Sequence, residues 1–168
     1  MRLIFCACTS ENEPPSTVKS CATGTVTVTK SVTILAVPGV LGSVVANGAH
    51  ALVVNGAGVN VTLRNLNFRP LSGSAAFDAI RFTTGASLLL QQCNVFDFTA
   101  GRGLHATAEG ATVGVFDSAF RNNGTGALFE GTNGHVSNAQ FIGGTNGVVA
   151  LASASGMVTR VTVNASVA

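Results

Sequence analysis

The sequence predicts an all-β chain, a right-handed parallel β-helix in which about six rungs stack into a three-sheet solenoid. Three observations predict it. Short segments of alternating apolar and polar residues recur along the chain. Two apolar columns drift together from copy to copy. Asn and Gly gather at the corners between the segments, where tight turns need a left-handed backbone.

The chain begins with a leader, residues 1–24. Met1-Arg2-Leu3-Ile4-Phe5-Cys6-Ala7-Cys8 faintly resembles a signal peptide, but its apolar stretch stops at Thr9-Ser10-Glu11. Glu11-Asn12-Glu13-Pro14-Pro15 follows, with no amphipathic helix. The leader is read as irregular, a truncated or mis-started beginning, and residues 25–168 as the β-helix domain. Cys6, Cys8 and Cys21 lack the paired spacing of a zinc site. One disulfide among them would favour an oxidising compartment. Cys93 falls in a core column and reads as a buried free thiol.

The repeated unit is clearest in Val61-Thr62-Leu63-Arg64-Asn65-Leu66-Asn67-Phe68. It returns as Leu88-Leu89-Leu90-Gln91-Gln92-Cys93-Asn94-Val95 and as Val113-Gly114-Val115-Phe116-Asp117-Ser118-Ala119-Phe120. Weaker copies run over 136–141 and 158–163. The last positions, Phe68, Val95, Phe120, Phe141 and Val163, step by 27, 25, 21 and 22. The first strands give Leu52, Ile80, Leu104, Ala127 and Val148, at steps of 28, 24, 23 and 21. A period-2 pattern means a strand with one buried face. Strands this short need stacked neighbours to bury that face, which a solenoid supplies. A β-sandwich also has many short strands, but it has no need of two matched columns.

The corner between the second and third strands carries Asn65, Gln92, Asp117, Asn138 and Arg160. Here the chain resembles the pectin lyase-like β-helix superfamily, over about residues 25 to 163. The resemblance implies a ladder of side chains up the inside of this corner: Asn65 and Asn138 match, Gln92 and Asp117 substitute, and Arg160 breaks it. It implies little about activity, because the superfamily includes lyases, hydrolases, esterases, epimerases, tailspikes and adhesins. Members usually close the first rung with a helix. Its absence, and a C-terminus without a polar cap, lead us to expect self-association through uncapped ends, or a fragment of a longer protein.

The resemblance also implies a polysaccharide groove along the outside of the first strands. In this register the outward residues are Val53, Arg81, His105, Leu128 and Val149. Arg81 and His105 fall one rung apart, about 4.8 Å. Asp78, Asp97, Arg102, Glu109 and Glu130 lie in the adjoining loops. The candidate ligand-binding set is therefore Asp78, Arg81, Asp97, Arg102, His105 and Glu109. Its functional reading is an acidic sugar held by Arg81 and Arg102, with His105 or a carboxylate as general base. Its plainer reading is a solvated face with ion pairs, Asp78 with Arg81 and Arg102 with Glu109, each worth little.

Several classes are disfavoured. Charged residues are 10% of the chain and the formal net charge is +2, with no Lys/Arg cluster and no Trp or Tyr, which argues against nucleic acid. No apolar run approaches the roughly 20 residues of a membrane span. The groove carboxylates that hold calcium in pectate lyases reduce here to Asp78 and Asp97, so no cofactor is expected, calcium entering only if the chain were lyase-like. The motifs by which polygalacturonases and pectin methylesterases resemble one another are missing. Asn60-Val61-Thr62, Asn123-Gly124-Thr125 and Asn164-Ala165-Ser166 fit the N-glycosylation pattern. The expectation is a non-catalytic β-helix domain of a secreted or surface protein, contacting glycans or proteins. The competing expectation is a polysaccharide lyase or hydrolase, or a piece of one, with its groove around Arg81 and His105.

Overall fold

A computed structural model describes residues 2–4, 25–37, 39–151 and 153–164. The rest of the leader, with Cys6, Cys8 and Cys21, lies outside the described residues. Strand β1 is Arg2–Ile4. Six rungs of three strands follow. They are β2 Val26–Val28, β3 Val32–Leu35 and β4 Gly42–Ala46; β5 Leu52–Asn55, β6 Asn60–Arg64 and β7 Leu66–Pro70; β8 Asp78–Thr84, β9 Ser87–Gln91 and β10 Asn94–Phe96. The next are β11 Arg102–Ala106, β12 Thr112–Phe116 and β13 Ala119–Arg121; β14 Thr125–Glu130, β15 Asn133–Ser137 and β16 Gln140–Ile142; β17 Asn146–Leu151, β18 Ser155–Thr159 and β19 Thr162–Asn164.

The first strand of every rung joins one sheet, the second a second sheet and the third a third sheet, and β1 pairs with β3 at the edge of the second. Every pairing is parallel. The fold is a parallel β-solenoid of six turns. Among the described residues there is no helix, and so none long and apolar enough to cross a membrane.

Both expected columns are ladders. Phe68, Val95, Phe120, Phe141 and Val163 are successive partners in the third sheet. Leu52, Ile80, Leu104, Ala127 and Val148 are successive partners in the first. The core is the tube between the sheets, filled by these residues and by Leu63, Leu90, Val115 and Val136 from the second. Phe120 and Phe141 stack with ring centres 4.9 Å apart. Gly126 makes room for them, since a Cβ there would stand 2.3 Å from the Phe141 ring. In the last described rung the core columns reach the edge, and Val158 and Val163 are half exposed.

The middle corner differs from its expected form. Asn65, Gln92, Asp117, Asn138 and Arg160 do stack, all with φ between 47° and 54°, and each of the first four donates its backbone N–H to a carbonyl of the next rung. Their side chains point outward and are exposed. The Asn65 amide bonds the Ala36 carbonyl and Asn138 bonds Asp117, so the side-chain ladder is partial and lies outside the corner. The inward positions belong to the following residues, among them Leu66, Cys93, Ser118 and Ala139. Cys93 is a free, buried thiol, and burial pushes it up to about 11.

The interior Asn is instead Asn123, at the corner between the third sheet and the first. It is buried, accepts from the Phe98 N–H (3.1 Å) and donates to the Val95 carbonyl (3.1 Å). A side chain so enclosed has no room for a glycan, so the pattern at Asn123-Gly124-Thr125 is a corner signal in the folded chain.

Candidate functional site

The ionisable cluster on the first sheet is built by strand register. Ile80 and Phe82 turn into the core, so Arg81 between them turns out. Leu104 and Ala106 do the same for His105. The pairings Asp78 with Arg102 and Arg81 with His105 then lay four side chains side by side. Gly101 makes the close approach possible. The Arg102 N–H bonds the Phe77 carbonyl at 2.9 Å, and a Cβ on Gly101 would overlap that oxygen.

Asp78 is the centre. Its side chain is 0% exposed. Arg81 Nη1 donates to Oδ2 (3.1 Å) and Arg102 Nη1 to Oδ1 (3.3 Å). His50 Nδ1 and His105 Nδ1 each lie 3.4 Å from Oδ2. Burial pushes this carboxyl up, but the bond and charge of His105, with the charges of Arg102 and His50, outweigh burial and hold it below its ordinary value. His50 is lowered, because burial disfavours its charged form more than Asp78 favours it.

His105 is nearly covered. Its Nδ1 lies 3.0 Å from Arg81 Nη1 and 3.4 Å from Asp78 Oδ2, so it accepts from the guanidinium in one tautomer and donates to the carboxylate in the other. Its Nε2 faces Glu130 Oε1 at 3.5 Å. The imidazole is thus held between a guanidinium and a carboxylate. Phe77, the residue before Asp78, is 58% exposed, and its ring centre lies 6.1 Å from that of His50.

Of the expected set, Asp78, Arg81, Arg102 and His105 come together. Asp97 and Glu109 do not join them. Asp97 sits at the corner after β10, with φ of 70° and its Oδ1 accepting from Asn122 (2.9 Å). Glu109 is exposed in the turn after β11, against Gly131. The expected Arg102–Glu109 pair is replaced by Arg102–Asp78. His50 and Phe77 belong to the site although the sequence reading passed over them. The signal for His50 was available: it precedes Leu52 by the two residues by which Asp78 precedes Ile80.

Both Asp78 oxygens already accept from guanidinium groups, which makes the cluster a poor cradle for calcium. Among the described residues no group of three or more His, Cys, Asp or Glu is arranged to hold a metal ion. Compared with family models, curated proteins and solved structures, the chain matches none.

Proposed function

We propose that this chain is a non-catalytic β-helix domain, pectin lyase-like in its rung plan, that contacts carbohydrate from a secreted or surface protein. The observation that carries the reading is Phe77, 58% exposed at the edge of a cluster whose charges are already balanced. A large aromatic facing water offers a platform for the apolar face of a sugar ring. Arg81 and Arg102 remain 31% and 39% exposed and keep further N–H donors for hydroxyls or carboxylates. No free base accompanies them: His105 Nδ1 is taken up between Arg81 and Asp78, and Asp78 is enclosed. The charge-poor surface suits an extracellular setting.

The test is affinity electrophoresis of the full chain through gels holding acidic or neutral polysaccharides. Retardation that falls at least several-fold with Phe77→Ala supports the reading, in line with the weight of a single aromatic contact. Retardation by none of them rejects it.

The second reading, a polysaccharide-active enzyme, rests on His105 lying between Asp78 and Glu130. Turnover of polygalacturonate or alginate that disappears in His105→Ala would establish it and overturn the first.

A further inference from the structure

We propose that the outer face of the third sheet holds a second, separate carbohydrate site, a groove for an acidic oligosaccharide. The inference rests on the carbohydrate-contacting reading above but uses none of its residues.

The third sheet buries Phe68, Val95 and Phe120, so the residues on either side of them face out. One outward column reads Asn67, Asn94, Ala119. The other reads Arg69, Phe96, Arg121, with Phe96 opposite Arg121, and its column begins at Val45, opposite Arg69 but buried. Phe96 falls beside Arg69, because Val95 pairs with Phe68. An aromatic ring therefore lies between two guanidinium groups two rungs apart, about 10 Å along the solenoid axis.

The face is concave. A cleft of about 480 Å³ runs over Val45, Arg69 and Phe96, and a neighbouring one of about 390 Å³ runs over Asn67, Asn94, Phe96 and Arg121. They share Phe96 and Asp97 and form one groove across the strands. Ala119 keeps the second part open, where a longer side chain would fill it. The wall is the segment 71–74, tied back by the Leu71 N–H (2.7 Å) and the Ser74 hydroxyl (3.3 Å), both to the Ala46 carbonyl. The rim is thus formed before any ligand arrives, which keeps the ordering cost of binding small.

The chemistry selects the occupant. Arg69 and Arg121 are exposed, and among the described residues neither makes an ion pair. Together they call for carboxylates or sulfates along an extended chain. Asp97 adds one negative charge to the same groove and has a second oxygen free of Asn122. An acidic peptide brings carboxylates but no hydroxyl donors for Asp97 and no apolar ring face for Phe96. A uronate sugar brings carboxylates for the two Arg, hydroxyl donors for Asp97, Asn67 and Asn94, and an apolar ring face for Phe96. All the groove's groups are used only by the sugar.

The test is isothermal titration of the full chain with polygalacturonate, alginate, hyaluronate, methyl-esterified pectin and polyglutamate. Binding to at least one uronate polymer is expected, with esterified pectin and polyglutamate at least about tenfold weaker. The double variant Arg69→Ala/Arg121→Ala should weaken uronate binding by about tenfold or more, as should Phe96→Ala, and the effect of the double variant should shrink as salt is raised. Phe77→Ala should leave this component unchanged. Both arginines are exposed, so the double variant is expected to fold, and its circular dichroism spectrum checks that. Uronate binding that survives the double variant but falls with Phe77→Ala overturns the groove and leaves the first-sheet reading standing. Equal binding to polyglutamate or esterified pectin overturns the assigned class. No binding to any uronate polymer overturns the groove.

Discussion

At the scale of single residues, the most consequential side chain is Asp78. It is fully enclosed and anchors two arginines, Arg81 within β8 and Arg102 across from β11. Removing one partner of a buried charge network is costly, about 3–5 kcal/mol. Arg81 and Arg102 are partly exposed and can turn to water, so Asp78→Ala is expected at the lower end, about 3 kcal/mol, by urea denaturation. The same residue fixes a pH dependence. His50 titrates lower in the folded chain than its ordinary 6.5, so the unfolded chain binds more protons and stability falls as pH drops below 6.5. Asp78 is also held low, from an ordinary 3.8, so its contribution is present above 3.8 and is lost as pH falls through its folded value. Denaturation midpoints should decline from pH 7.5 to 5 and again toward pH 3, and His50→Gln should flatten the first decline and leave the second in place. A midpoint that rises on acidification to pH 5 would contradict this account. Asp78, Arg81, Arg102 and His105 were legible together because strand alternation and rung spacing fix them. Asp97 and Glu109 were misplaced because corners bring residues near in sequence without bringing them to the same face.

At the scale of the corner, residue type reported backbone conformation but not side-chain direction. Asn, Gln and Asp at one position of each copy did mark a left-handed turn. The inward ladder belongs elsewhere, to Asn123, whose two buried bonds serve Phe98 and Val95. Nothing in the spelling Asn-Gly separates a buried corner from an exposed one, and the choice is made by which neighbour needs its backbone groups paired. Two substitutions should move stability in opposite directions. Gln92 has φ of 54° and an exposed side chain, and Asn tolerates that backbone better. Gln92→Asn is expected to raise stability by up to about 1 kcal/mol. Asn123→Ala leaves the Phe98 N–H buried without its partner and should cost about 1–3 kcal/mol. Equal effects of the two on the urea midpoint would mean the corners are interchangeable, against the burial seen here.

At the scale of the whole molecule, the solenoid was legible because a repeat states its own register: two columns defined four strand pairings in each of two sheets. The segment 71–77 was not legible, since it occurs once and no other copy reports on it, yet it supplies both Phe77 and the wall of the third-sheet groove. A stack of rungs has nearly one-dimensional energetics, each rung stabilised by its own contacts and by those with its two neighbours. The strands β17, β18 and β19 have a described neighbour on one side only. The inward Val158 and Val163 are 55% and 50% exposed, against 1% for Val136 and 2% for Phe141 one rung earlier. Local opening is governed by such differences in buried apolar contact. Amide hydrogen exchange of the full chain should therefore be graded, fastest over Asn146–Asn164 and slowest over β8 to β12, where both neighbours are present and the inward residues are almost wholly buried. Uniform protection along the stack would mean that the last rung is covered in solution or that the solenoid opens only as a unit. Sedimentation velocity at several concentrations separates those cases, because coverage by a second copy must weaken on dilution and global cooperativity must not.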